Sequence, residues 1–219
     1  MGEVAQTLLG VAPSASTISR LNQTLSQQFE AWRERPLQEH WRILYLDGVH
    51  FTIRHGDKAD ATIILTALGV DLAGNKEVLA LCVCAEESKD GWDSLLQDLR
   101  RRGATQIDLI VTDGHDGLLA AVSHWFSATP RQRCLVHKQR NVLNAIPRRE
   151  RGDVQAELVG IWEQPTKEEA LIQLAAFKAK YAQRYPEALR SLAEDEEHPL
   201  SVLCLSSKFA PAHSDHECH

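Results

Sequence analysis

The sequence predicts an α/β fold in which one mixed sheet combines an antiparallel meander with parallel strands joined by crossover helices. The first observation is the order of the apolar patterns, which runs strands, helix, strand, helix, strand and then helices only. That order is a known way to cover a mixed sheet. The second is the composition, because 219 residues of which 43% are hydrophobic can bury one substantial core.

Residues 1–38 are predicted to be the end of an N-terminal helical region. In "TISRLNQTLSQQFEAWRERPL" the apolar residues follow one another at three- and four-residue steps, which indicates an amphipathic helix. Ser16 or Thr17 is expected to cap this helix. Its apolar positions are Ile18, Leu21, Leu25, Phe29 and Trp32.

The meander is predicted to begin in "WRILYLDGVHFTIR". There we expect one strand to end before Asp47 and a second to cover residues 49–53. "ATIILTALGV" and "KEVLALCVCA" are rich in β-forming residues and predict two more strands. The connection "DLAGN" contains Gly74 and Asn75, which suit a tight turn with positive backbone dihedrals.

The remaining elements alternate between helix and strand. "DGWDSLLQDLRRRG" predicts a helix that stops at Gly103, "IDLIVTDG" a strand that ends in Asp113, "DGLLAAVSHWF" a helix and "RQRCLVH" a further strand. From about Gln139 onward the pattern is helical. This order matches a ribonuclease H-like core. The predicted regions are a core over residues 39–138, a helical insertion over residues 139–199 and a tail of different texture over residues 200–219.

Two aspartates follow apolar strands and each precedes a glycine, as Asp47-Gly48 and Asp113-Gly114. If the two strands are neighbours, both carboxylates emerge at one edge of the sheet. Carboxylates gathered there can bind hard cations such as Mg²⁺. Two such ions support an in-line phosphoryl displacement. The alternative interpretation is that each Asp-Gly pair makes a turn.

The distribution of charge is compatible with a polyanionic partner, although the formal net charge is -6. Residues 131–151 contain seven basic residues and one acidic residue. Such a segment suits phosphate groups, and it is also compatible with a solvated helical face.

The sequence predicts a cytoplasmic protein that does not cross a membrane. No apolar run approaches the roughly 20 residues that span a bilayer, and the N-terminus lacks the pattern of a signal peptide. The five cysteines are odd in number and irregularly spaced, so we expect reduced thiols.

Four segments resemble, in order and spacing, the transposases of Mutator-type bacterial insertion sequences. They are "YLDGVHFTIR", "KEVLALCVCAEESKDGWDSLLQDLRRRG", "IVTDGHDGLLAAV" and "QRCLVHKQRN". The resemblance implies a DDE transposase with a ribonuclease H-like fold that uses Mg²⁺ or Mn²⁺ to cleave and transfer DNA strands. It implies that Asp47 and Asp113 are the first two metal-binding acids, and it gives Cys134 and His137 supporting roles.

The same resemblance implies DNA partners, namely the terminal inverted repeats of the element and the target DNA, and a homo-oligomer of the transposase. It also implies that residues 1–38 are the end of the family's helical DNA-binding region. Basic and amide side chains in and beside the "QRCLVHKQRN" segment are candidates for phosphate contacts, which read DNA largely independently of its sequence. These candidates are Arg131, Arg133, Lys138, Arg140, Asn141, Arg148 and Arg149.

The sequence of the last 20 residues indicates a frameshift in the gene. In the family a segment reading roughly "IRTTNAIE" supplies the third acid, and this sequence does not contain it. The codons that encode "HSDHECH" permit Ile, Arg, Thr, Thr, Asn, Ala and Ile when they are read one nucleotide later. We therefore expect a frameshift close to Leu200 that replaces the end of the catalytic domain and leaves this chain inactive.

Three other interpretations are open. The chain could be a non-catalytic DNA-binding or oligomerising remnant that interferes with an intact transposase. Cys134 and His137 could bind zinc together with ligands from the tail, or simply pack at the end of a strand. An unrelated ribonuclease H-like nuclease would take its remaining acid from a helical segment, at Glu157, Glu163, Glu168 or Glu169.

Overall fold

The fold, seen in a computed structural model, is described for residues 14–55 and 58–193. The predicted tail over residues 200–219 lies outside the described residues, as does the first part of the predicted N-terminal region. The strands are β1 (His40–His55), β2 (Lys58–Val70), β3 (Lys76–Cys84), β4 (Gln106–Thr112) and β5 (Arg131–Arg133). The helices are α1 (Ala15–Glu34), α2 (Lys89–Arg101), α3 (Asp116–Trp125), α4 (Leu135–Asn144), α5 (Arg151–Trp162), α6 (Lys167–Tyr181) and α7 (Pro186–Ala193).

The five strands form one mixed sheet in the order β3-β2-β1-β4-β5. The β1–β2 and β2–β3 pairs are antiparallel, whereas the β1–β4 and β4–β5 pairs are parallel. Helices α2 and α3 make the crossovers between the later strands, as parallel pairing requires. The predicted fold class is confirmed: this is a ribonuclease H-like sheet.

The prediction of two strands around Asp47 was wrong, because β1 runs without a break from His40 to His55. Asp47 pairs with Thr66, and Gly48 pairs with Leu65, inside the antiparallel ladder. The ladder continues because β2 offers partners on both sides of the Asp-Gly pair. Asp47 therefore lies in the middle of a strand and not in a turn.

The N-cap of helix α1 lies two residues before the first of its predicted caps. Ser14 is the N-cap, and its Oγ accepts a hydrogen bond from the backbone N–H of Thr17 at 3.2 Å. Ser16 and Thr17 lie inside or beside the first turn, so neither is the cap that the sequence suggested. The prediction of the helix itself is confirmed.

The turn between β2 and β3 uses one positive φ and not two. Gly74 has a φ of 92°, and no described residue other than glycine has a positive φ. Asn75 instead donates hydrogen bonds to the Asp71 carboxylate from its backbone N–H and from Nδ2. The side-chain bond from Asn75 is the main reason that the pKa of Asp71 is lowered.

Helices α2 and α3 cover one face of the sheet and form the main core with it. The apolar face of α2 is fully used, since all four of its predicted apolar residues are buried. They are Trp92, Leu95, Leu96 and Leu99. Gly103 follows α2 with a φ of 118°, as the predicted C-terminal cap requires.

The predicted strand "RQRCLVH" is only three residues long. The backbone N–H of Cys134 donates to the Thr112 carbonyl at 2.7 Å, which ends the pairing with β4. The N–H of Lys138 then donates to the Cys134 carbonyl and opens α4. The helical region consequently starts at Leu135, four residues before the predicted Gln139.

Helices α4 to α7 form a second apolar cluster of their own. Its members include Val142, Leu158, Phe177 and Tyr181, all nearly inaccessible to solvent. The rings of Phe177 and Tyr181 pack with centroids 4.8 Å apart. Within the residues described, no helix is long and apolar enough to cross a membrane.

Candidate active site

The predicted acids Asp47 and Asp113 lie at adjacent positions on neighbouring parallel strands. The register between β1 and β4 ends with Leu46 opposite Thr112, which is one residue before each aspartate. Neighbouring strands lie about 4.8 Å apart. The condition set by the sequence, that the two strands be neighbours, is therefore met.

Asp47 projects from the face of β1 that also carries Tyr45, because side chains alternate along a strand. Its side chain is 45% exposed. Nε2 of His137, in the first turn of α4, lies 3.8 Å from Oδ1 of Asp47. Nδ1 of the same ring is buried and has no hydrogen-bond partner. The structure thus brings His137 to the first acid.

Apolar side chains surround Asp47 on this face. Thr66 and Leu81 lie beside it in the ladder, and the next row consists of Val49, Ile64 and Val83. Val83 is 70% exposed. The approach to the first acid from the antiparallel side is therefore an open apolar surface, and such surfaces on soluble proteins commonly mark contact sites.

Asp113 directly follows β4 and shapes the start of α3. Its Oδ1 accepts a hydrogen bond from the backbone N–H of His115 at 3.0 Å. Gly114 has a φ of 90°, a conformation that favours glycine. A Cβ at position 114 would overlap the guanidinium of Arg133, which covers the backbone there. The second acid therefore has a positive group beside it.

Glu87 is a buried carboxylate that the sequence analysis missed. Its side chain is 9% exposed, and Oε1 accepts a hydrogen bond from Nε1 of Trp92 at 3.0 Å. Nδ1 of His115 lies 3.6 Å from the same oxygen. A Cβ at Gly48 would come within 2.7 Å of Oε2. Glu87 thus lies under Gly48, on the opposite face of β1 from Asp47. Gly48 inside β1 marks this close approach, and it became visible only once β1 proved to be continuous.

Cys134 caps the N-terminus of α4 and packs, half-buried, against the small cluster formed by Ile43, Val70, Leu109 and Val111. Burial, and then the nearby Cys134, raise the pKa of Tyr45. Cys134 therefore faces apolar side chains while His137 faces Asp47. No group of three or more His, Cys, Asp or Glu residues that could bind a metal occurs in the part of the chain described, and the tail in the zinc interpretation lies outside it.

The candidate DNA-binding residues do not share one environment. Arg131 donates to Oγ of Ser123 at 2.7 Å, and Arg133 covers Gly114. Lys138 is only 4% exposed. The exposed members are Arg131, Arg140, Asn141, Arg148 and Arg149.

Of the helical acids that the alternative nuclease interpretation would use, Glu157 already accepts hydrogen bonds from other side chains. Oε1 of Glu157 accepts hydrogen bonds from Nζ of Lys180 at 2.5 Å and from the Tyr181 hydroxyl at 2.9 Å. Burial opposes ionisation of Glu157, but these two bonds outweigh it and lower its pKa. Glu163 is the C-cap of α5, and Glu168 and Glu169 lie in the first turn of α6.

The two carboxylates of the site would supply part of the ligands of a hard divalent cation. Asp47 and Asp113 offer carboxylate oxygens, the ligands that Mg²⁺ and Mn²⁺ prefer. A magnesium ion commonly takes one or two carboxylates and keeps several waters. The exposure of Asp47 leaves room for such waters.

Comparison with known proteins identifies similar sequences over nearly the whole chain. The sequence model described as "Transposase, Mutator family" matches residues 1–209. The transposase for insertion sequence element ISRM5 of Rhizobium meliloti (strain 1021) is 33% identical over 202 residues, which are 92% of this chain and 51% of that protein. The transposase for IS6120 of Mycolicibacterium smegmatis is 34% identical over 208 residues, which are 94% of this chain and 62% of that protein. The chain thus spans about half to three-fifths of the length of these relatives.

Among solved structures, a chain of the simian T-cell lymphotropic virus intasome in complex with PP2A regulatory subunit B56 gamma is similar over 64% of this chain and 49% of that chain. The TM-score is 0.29 and the identity is 14%. This similarity is too weak to bear on fold or function.

Proposed function

The chain belongs to the Mutator family of transposases, and we propose that it carries part of a metal-dependent site that cleaves and transfers DNA strands at the ends of an insertion sequence. One observation carries this proposal: Asp47 and Asp113 occupy adjacent positions on β1 and β4, with His137 beside the first. Carboxylates held side by side on neighbouring strands suit phosphoryl transfer, where positioning and charge supply most of the catalysis.

Asp47 and Asp113 would hold Mg²⁺ or Mn²⁺, which when bound would activate the attacking oxygen and stabilise the leaving oxygen of a phosphodiester. Other groups of this chain would position the DNA. The guanidinium of Arg133 beside Gly114 would attract a backbone phosphate to the Asp113 side of the site. The exposed Arg140, Arg148 and Arg149 would contact phosphates further along the duplex.

His137 would act on the other side of the site. Its Nε2 lies 3.8 Å from Oδ1 of Asp47, which is longer than a hydrogen bond, and the ring would line the side of the site that faces the first acid. Cys134 packs against apolar side chains and would support the start of α4.

We also propose that two carboxylates hold the cation only weakly and that this polypeptide does not cleave DNA. The second candidate function is that of a non-catalytic DNA-binding or oligomerising remnant. The exposed arginines after α4 favour it, since phosphate contacts need no metal.

Mn²⁺ binding by the full chain tests the site. Electron paramagnetic resonance of free Mn²⁺ should give a dissociation constant of about 1 mM for the unmodified protein. Asp47→Asn and Asp113→Asn should each weaken binding at least tenfold, because each removes one anionic ligand. Asp108→Asn is the matched control, since Asp108 lies on β4 but pairs with His40 at 2.7 Å. Equal binding by all four proteins would refute the assignment.

Incubation with Mn²⁺ and DNA carrying the element ends then separates the two functions. We expect no cleavage by the chain alone, but reduced transposition when it is expressed together with an intact transposase of the same element. Cleavage that Asp47→Asn abolishes would instead make the chain an active enzyme. Cleavage that survives this substitution would locate the chemistry elsewhere.

A further inference from the structure

Glu87 places a carboxylate where burial is costly. Its side chain is only 9% exposed, and Oε1 accepts a hydrogen bond from Nε1 of the fully buried Trp92 at 3.0 Å. Removing an ionised carboxylate from water costs free energy unless its partners compensate. A neutral glutamine of the same size would accept the bond from Trp92 as well. The indole therefore explains an acceptor at position 87 but not its negative charge.

Glu87 contacts both segments that carry the acids of the candidate site. Towards β1, Oε2 lies 2.7 Å from the place that a Cβ of Gly48 would take, so the carboxylate packs against the backbone directly after Asp47. Towards α3, Oε1 lies 3.6 Å from Nδ1 of His115. The backbone N–H of His115 donates to Oδ1 of Asp113 at 3.0 Å. Glu87 thus touches the residue after the first acid and the residue that holds the second.

The first turn of α2 fixes the position of Glu87. Ser88 is the N-cap of this helix, and its Oγ accepts a hydrogen bond from the N–H of Gly91 at 3.2 Å. The N–H of Trp92 donates to the Ser88 carbonyl at 3.2 Å. Glu87 directly precedes the cap, and its side chain returns to Trp92 in the same helix. A carboxylate held by a capped helix of the main core is a rigid support for its neighbours.

The contact between Glu87 and the start of α3 depends on a glycine. A Cβ at Gly117 would lie 2.9 Å from the backbone nitrogen of Lys89 and 3.2 Å from Cε1 of His115. The absence of a side chain therefore lets the first turns of α2 and α3 meet, with the His115 ring beside Glu87. On the solvent side, Nε2 of His50 lies 3.9 Å from Oε2 of Glu87. The carboxylate is thus enclosed by β1, α2 and α3.

We propose that Glu87 is a positioning residue for the two acids of the site. Its carboxylate holds Gly48 and His115 in place and thereby fixes the backbone that presents the two aspartates. The role rests on the proposed function, because it concerns the same cation. Glu87 does not bind that cation itself, since it lies on the opposite face of β1 from Asp47. Removing a group that orients metal ligands typically weakens metal binding about 10- to 100-fold.

Mn²⁺ binding by the full chain, measured by electron paramagnetic resonance, tests the role of the charge. Glu87→Gln should weaken binding about tenfold. The melting temperature should not fall, because glutamine keeps the size of the side chain and the acceptor for Trp92, and it removes a buried charge. Glu86→Gln is the matched control, since it removes the same charge from the exposed neighbouring residue. Equal affinities of the two variants would overturn the proposal.

Gly48→Ala tests the contact from the other side, because it displaces the Glu87 carboxylate without altering it. The backbone of Gly48 has no positive φ, so alanine fits the strand. The substitution should weaken Mn²⁺ binding about tenfold in the unmodified chain and have no further effect in a Glu87→Ala background. An equal loss in both backgrounds would show that Gly48 acts independently of Glu87 and would overturn the proposal.

Nuclear magnetic resonance of the full chain without metal follows the second acid directly. The amide proton of His115 should move upfield in Glu87→Gln, because its bond to Asp113 loosens, and should not move in Glu86→Gln. An unmoved signal in Glu87→Gln would overturn the positioning role. If Asp47→Asn and Asp113→Asn leave Mn²⁺ binding unchanged, the proposed function fails and the role of Glu87 with it. If both weaken binding and Glu87→Gln does not, only the role of Glu87 fails.

Discussion

Gly114 combines two requirements in one residue of the site. Its φ of 90° lies where a side chain is strained, and the guanidinium of Arg133 occupies the place that a Cβ would take. An Asp-Gly pair is common in turns because glycine tolerates this conformation. Here the absence of a side chain also leaves room for the guanidinium of Arg133 beside the second acid. This is the group that is proposed to contact a backbone phosphate.

Gly114→Ala should therefore destabilise the fold by about 2–4 kcal/mol, the sum of backbone strain and of displacing Arg133. Urea unfolding measures this loss. In an Arg133→Ala background the same substitution should cost about 1–2 kcal/mol, because only the strain remains. An equal cost in both backgrounds would show that the guanidinium does not constrain position 114.

The residues of the candidate site differ in how well their positions could be predicted from the sequence. The adjacency of Asp47 and Asp113 could be predicted because each stands in an Asp-Gly pair directly after an apolar run. Glu87 could not, since its burial depends on Trp92 and His115, which the fold brings to it. The environment of Arg133 likewise depends on β5 lying beside β4.

At the scale of elements, the helices were easier to predict than the strands. The apolar spacing of α2 is local, and the cap glycine Gly103 follows it directly. The continuity of β1 depends on β2, the next strand, in which Thr66 and Leu65 pair with Asp47 and Gly48. Pairing with β2 therefore outweighs the local turn propensity of the Asp-Gly pair. The shortness of β5 has the same kind of cause, since the Thr112 carbonyl captures the Cys134 N–H and ends the ladder.

Strand β2 depends on a glycine where it crosses Trp41. A Cβ at Gly69 would lie 2.5 Å from the Trp41 ring and 2.8 Å from Cδ1 of Leu79, and both side chains are fully buried. Gly69→Ala should therefore cost about 1–3 kcal/mol through overpacking. Gly160→Ala in α5 is the matched control, because nothing lies within 4 Å of its Cβ position. There the change should stabilise by about 0.5–1 kcal/mol. Thermal unfolding of both variants decides the matter, and an unchanged midpoint for Gly69→Ala would contradict this packing.

At the scale of the whole molecule, the question is how a chain with a net charge of -6 could hold DNA. The exposed arginines after α4 concentrate positive charge, while the acidic residues lie largely elsewhere. Screening makes distant charges matter little at physiological salt, where the Debye length is about 8 Å. Local contacts would then determine binding, and the repulsion from remote acids would be small.

This view predicts the salt dependence of DNA binding. Each phosphate contact contributes about -0.9 to the slope of log K against log salt concentration for duplex DNA. Arg149→Ala should make the slope less steep by about 0.9. Arg190→Ala should leave it unchanged, although Arg190 is also exposed and pairs with a neighbouring acid as Arg149 does. Fluorescence anisotropy of labelled duplex DNA between about 50 and 200 mM salt measures both slopes. If the two variants changed the slope equally, binding would follow total charge rather than the segment after α4, and that segment would not be the DNA-binding surface.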